Sequence, residues 1–185
     1  MHREDSRIPG TTEFAPPILL KPITSDHLAE LQAMYEASQG YFRTFSGEPA
    51  SPLQAANDYH QLLESDDRAI LAIWWEDEED ATLIGSLDFR FHHPVEGVLW
   101  LGALILRDHL PTDRDHIGHW ALRILEEWLR IATDITEIRT AVPFTALWYV
   151  RFLLKAGYTL TPELLRLPIR GKYIRFGVYR RMIPR

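Results

Sequence analysis

The residues Val98-Leu99-Trp100-Leu101-Gly102-Ala103-Leu104-Ile105-Leu106 lead through a polar segment, 107–116, into Ile117-Gly118-His119-Trp120-Ala121-Leu122. The first nine are apolar on both faces, as a central strand covered on both sides requires. Past Gly118, Ala121, Leu122, Leu125, Trp128, Leu129 and Ala132 recur at helical spacing. Strand, loop and glycine-opened helix together put unpartnered backbone N–H groups at the end of a strand. The helix dipole there favours negative charge, so a phosphate-bearing ligand is the first expectation.

Upstream, residues 1–17 are polar and carry Pro and Gly, and read as a loose leader before one domain, 18–185. Residues 18–23 read as a short strand. Ser25 and Asp26 offer N-caps to a helix with Leu28, Leu31, Met34 and Tyr35 on one face, and Gly40 ends it. Ser51-Pro52-Leu53-Gln54 is a second helix start, with Ser51 as cap, Gln54 closing a capping box and Leu53, Ala56, Tyr59 and Leu63 as the buried stripe. Residues 69–75 are strand-like and the acidic run 76–80 is a solvated turn. Residues 82–92 alternate: Leu83, Gly85, Leu87, Phe89 and Phe91 face one way, while Ile84, Ser86, Asp88, Arg90 and His92 face the other. Downstream, 137–142 is a strand, 144–156 a helix closed by Gly157, and 158–167 and 174–183 two final strands.

Composition sets outer bounds. The 185 residues carry 46% hydrophobic and 25% charged residues, a formal net charge of −6 and no cysteine. Thiolate catalysis, disulfides and cysteine metal sites are thereby excluded. No apolar run reaches the roughly 18 residues of a membrane helix, and the N-terminus lacks the apolar core of a signal peptide. A cytoplasmic protein is expected, with no nucleic-acid partner, since such domains carry a basic face, and no membrane partner. His109, His116 and His119 lack a metal-binding pattern, so no metal site is expected.

The order of elements over residues 18–183 resembles that of the GCN5-related N-acetyltransferase family. Two partial motifs support the resemblance. The family's phosphate loop, Gln/Arg-x-x-Gly-x-Gly/Ala, aligns its last glycine with Gly118, with Ala121 and Leu122 as the apolar pair beyond it. Asp113 then stands where Gln or Arg is usual, His116 where the first glycine is, and Arg114 one place from the usual basic position. Lys155-Ala156-Gly157-Tyr158 matches the end of the family's Asn-x-x-Ala-x-x-Leu-Tyr-x-Lys-x-Gly-Phe. Ala146 replaces its Asn, and Leu153 the Tyr that often protonates the leaving thiolate. The resemblance implies an α/β (α+β) fold, with a mixed, mostly antiparallel sheet of about seven strands flanked by about four helices.

It also implies acetyl-CoA as cosubstrate, without a metal, and a primary amine as acceptor, on a small molecule or a peptide. The pantetheine would lie on the backbone of Leu104 and Leu106, and the pyrophosphate on the segment Arg114, Asp115, His116, Ile117, Gly118 and His119. Tyr149, one helical turn before Leu153, is the candidate acid. His92 and Glu96 lead the candidate bases, with Asp88 and His93 beside them, because a histidine titrates near neutrality without tuning. Trp100, Tyr41 and Phe45 are candidates for the acceptor pocket; packing is the plain alternative for each. The free edge of the last strands offers a homodimer interface. Three functions stay open: an N-acetyltransferase, a catalytically degenerate acyl-CoA-binding protein, and an interaction module with the same fold.

Overall fold

In the computed structural model, residues 17–76 and 81–184 are described. Positions 1–16 of the expected leader and 77–80 of the acidic turn lie outside them. The apolar stretch forms the central strand Val98–Leu106 of one seven-stranded sheet. In chain order the strands are β1 Ile18–Pro22, β2 Arg68–Glu76, β3 Ala81–Phe91, β4 Val98–Leu106, β5 Glu137–Pro143, β6 Thr159–Ile169 and β7 Lys172–Met182. Across the sheet they lie β1-β2-β3-β4-β5-β7-β6. Every neighbouring pair is antiparallel except β4 and β5, which run parallel.

Five helices flank the sheet: α1 Leu28–Glu36, α2 Gln39–Phe45, α3 Gln54–Leu63, α4 Arg114–Ala132 and α5 Leu147–Lys155. The expectation of about four lacked α2. Gly40 does not end a helix; it sits in the first turn of α2, and its N–H donates to both oxygens of Asp108 at 3.2 and 3.1 Å. A distant carboxylate satisfies the helix start, so local sequence carries no sign of it. The start of α1 is also shifted. A 3-10 turn, Ser25–His27, precedes it, and Thr24 and His27 form the capping box.

Helix α3 is rotated from its expected stripe. Leu53 and Leu63 are 64% and 70% exposed, while Ala55 is buried and Tyr59 and Leu62 pack on the core. Polar anchors set this rotation. The side-chain oxygen of Gln32 accepts from Ala55 N–H at 3.0 Å, and Asp58 lies 3.7 Å from Arg68 of β2. Arg68 in turn holds Asp88 of β3, donating from Nε at 3.0 Å. Asp88 and Asp58 therefore sit on the α1 and α3 side of the sheet. Phe91 meets Trp128 of α4 at a ring separation of 6.0 Å, so the odd residues from Gly85 to Phe91 face α4. A bulge at Ile84, where Ile73 pairs with Gly85 and Trp74 with Leu83, turns Leu83 to the other face, against the expected alternation. One buried cluster runs through both layers, from Leu31 and Met34 of α1 to Leu122 and Leu125 of α4.

Candidate active site

The sheet opens where the parallel pair parts. β4 and β5 are in register only at Val98/Glu137, Leu99/Ile138 and Trp100/Arg139. Among the described residues, the backbone edge of β4 toward β5 from Leu101 to Leu106 has no ladder partner. On its other edge β4 carries a bulge. Asp88 pairs with Ala103 and Phe89 with Leu101, so Gly102 is the extra residue. The bulge increases the local twist and helps turn the outer half of β4 away from β5.

A narrow cleft of about 20 Å³ lies in this opening, lined by Tyr41 of α2, Leu104 and Leu106 of β4, Arg114 and Asp115 of α4, and Trp148, Tyr149 and Phe152 of α5. Its aromatic wall is continuous. Tyr41 stacks on Phe45 at 4.5 Å, and Phe45 meets Tyr149 edge-on at 5.2 Å. Tyr149 is buried and lines the cleft beside Leu104. Burial pushes the phenols of Tyr149 and Tyr41 above the ordinary 10.0, at which a phenol is already protonated at neutral pH.

The mouth of the cleft is the start of α4, and here the structure corrects the sequence reading. The helix opens at Arg114, not at glycine, and Asp113 is its N-cap. The Asp113 carboxylate accepts from the N–H groups of Asp115 at 2.8 Å and His116 at 3.3 Å. Ile117 N–H bonds Asp113 O at 3.2 Å. Gly118 lies inside the first turns, where its own N–H belongs to the helix ladder. Its role is close packing: a Cβ at this position would lie 2.7 Å from the Phe152 ring. His119 also turns to α5, stacking on Phe152 at 4.7 Å. Arg114 folds back over the end of β4, donating to Arg107 O at 2.7 Å, with its guanidinium 5.7 Å above the Trp148 ring. Lys155 pairs with Asp115 at 3.1 Å.

Of the residues singled out from sequence, Tyr41, Phe45, Leu104, Leu106, Arg114, Asp115 and Tyr149 come together. Trp100, His92 and Glu96 do not join them. Trp100 pairs with Arg90 and Arg139, on the sheet face away from α4. His92 and Glu96 lie before the first residue of β4, which is about 20 Å along the strand from Leu104 at ~3.3 Å per residue. There His92 Nδ1 is 3.0 Å from Glu96, and Nε2 is 3.7 Å from Asp134. Asp88, the other candidate base, is engaged by Arg68. Leu153 is fully buried and brings no polar group. Sequence reasoning missed Trp148 and Phe152 as cleft walls. Their signal was present: at spacing four, with Tyr149 between, they share the inner side of one helix.

The unladdered β4 amides and the apolar, aromatic cleft beside them suit a pantetheine arm, while at the mouth Asp113 already holds the amides of Asp115 and His116.

The fold has known counterparts. An acetyltransferase from Thermus thermophilus superposes with a TM-score of 0.73 at 17% identity, covering 91% of this chain and 98% of that one. Spermidine N-acetyltransferase from Vibrio cholerae, solved with CoA and spermine, gives 0.70 at 12%, covering 90% and 96%. A probable GNAT-family acetyltransferase from Chromobacterium violaceum gives 0.72 at 12%, covering 98% and 97%. No protein-family model matches the chain, and no curated protein matches it in sequence. The chain thus has the fold of the GCN5-related N-acetyltransferases, reached with very little shared sequence. Among the described residues no helix is long and apolar enough to cross a membrane.

Proposed function

We propose that the protein is an acetyl-CoA-dependent N-acetyltransferase that passes an acyl group to a primary amine by direct attack on the thioester. The observation that carries this reading is the parting of β4 from β5 beside Leu104 and Leu106, with the buried Tyr149 lining the same cleft. Acetyl-CoA, when bound, supplies an activated carbonyl and a thiolate leaving group. The backbone of Leu104 and Leu106 would hold the pantetheine arm, while Arg114, Asp115, His116, Ile117, Gly118 and His119 belong to the segment at the diphosphate end. Tyr149, a phenol at the wall of the cleft, would supply the proton that the leaving thiolate takes up. Tyr41 and Phe45 would wall the acceptor side.

One observation favours a second reading, an acyl-CoA-binding protein without catalysis. None of the candidate bases reaches the cleft: His92 and Glu96 are paired with each other, and Asp88 is held by Arg68. Thermal melting with acetyl-CoA, followed by thiol release over a panel of amines, separates the two. Transfer predicts a rise in Tm growing as RT ln(1 + [L]/Kd) together with amine-dependent thiol release. A rise without release selects the binding protein. No rise at millimolar acetyl-CoA removes both readings.

A further inference from the structure

Asp113 occupies the donors that a diphosphate would need. Its Oδ1 accepts from Asp115 N–H and His116 N–H, two of the few amides at the start of α4 without a carbonyl partner in the helix. A helix N-terminus stabilises one anionic group well, and here that group is already part of the chain. The basic side chains nearby are also engaged. Arg114 donates to Leu106 O, Arg107 O and Asp108, and Lys155 pairs with Asp115. Between Leu106 and Asp115 the chain thus sets two further carboxylates, Asp108 and Asp113, beside the mouth of an otherwise apolar cleft.

We infer that Asp113 is a specificity-determining residue for the acyl donor: its carboxylate competes with the diphosphate for the first amides of α4, so the cleft binds its donor chiefly through the pantetheine arm and only weakly through the phosphates. This rests on the proposed acyl-CoA site. Donor binding displaces the cap, and part of the gain from the phosphates is offset by the hydrogen bonds that Asp113 gives up. Donors that share the pantetheine arm but lack the diphosphate are consequently disfavoured much less than in a site with an open helix mouth.

The test is calorimetric titration of CoA and of pantetheine into wild type, Asp113→Ala and Asp113→Asn, with the melting temperature of each variant recorded without ligand. Asp113→Ala frees both amides and is expected to tighten CoA at least tenfold while leaving pantetheine within twofold. Asp113→Asn keeps a capping oxygen and loses the charge, so CoA should tighten by a smaller factor and the free protein should melt close to wild type. That variant keeps the test open if Asp113→Ala folds poorly. CoA affinity unchanged in both variants, with wild type binding CoA, overturns the inference and leaves the proposed function standing. An equal gain for pantetheine overturns it too, because the effect would not involve the phosphates. If neither wild type nor either variant binds CoA or pantetheine, the inference and the proposed function fall together.

Discussion

Tyr149 shows how far a residue can be judged from its neighbours in sequence. Its spacing from Leu153 placed it on the inner side of α5, and it does point inward, lining the cleft beside Leu104. Tyr149→Phe removes the hydroxyl and little else. If the phenol acts as the acid, kcat should fall about a hundredfold with KM little changed, read by thiol release. An unaltered kcat would reduce Tyr149 to packing. Gly118 illustrates the opposite outcome. Glycine before an apolar helix reads as an opening residue, yet here it clears space for the Phe152 ring. That distinction depends on a residue 34 positions away and leaves no trace in local spacing.

At the scale of elements, α2 and α3 are positioned by polar contacts that cross the fold. Asp108 caps α2 through Gly40 N–H, and its own N–H bonds Ala37 O at 2.8 Å. Asp108→Ala should cost about 1–2 kcal/mol in urea unfolding, the usual loss on removing a cap. It should also loosen Tyr41 and Phe45, raising KM for the amine more than it lowers kcat. Helix α3 rests on Asp58, which accepts from Gln54 at 3.2 Å and lies 3.7 Å from Arg68. Burial is the largest influence on Asp58 and pushes its carboxyl above the ordinary 3.8, more than Gln54, Tyr35 and Arg68 pull it down. The folded chain therefore favours the protonated form. That contribution is complete below pH 3.8 and is lost as pH rises through the higher folded value. Burial acts with the same sign on Glu126. Asp58→Asn should flatten the fall in stability with rising pH, measured as urea midpoints from acid to neutral pH; an unchanged slope would mean that Asp58 is not its source.

For the molecule as a whole, protection should follow the sheet order. β6 lies at one edge, pairs only with β7 and is largely exposed on both faces, whereas β3 and β4 are central and covered. Amide hydrogen exchange should be fastest among the strands in Thr159–Ile169 and slowest in β3 and β4. Slow exchange throughout β6 in dilute solution would show that another surface covers this edge, as the expected homodimer would.

The chain by itself determined the central strand, the alternation of β3 from Gly85 to Phe91, the number of strands and the helical stripe of α4, because each is a local period that apolar burial must satisfy. The parting of β4 from β5, the extra helix α2, the rotation of α3 and the self-capped start of α4 were decided only in the folded molecule. Each depends on which polar group meets an unpartnered amide or charge across the structure, and such meetings leave no period in sequence.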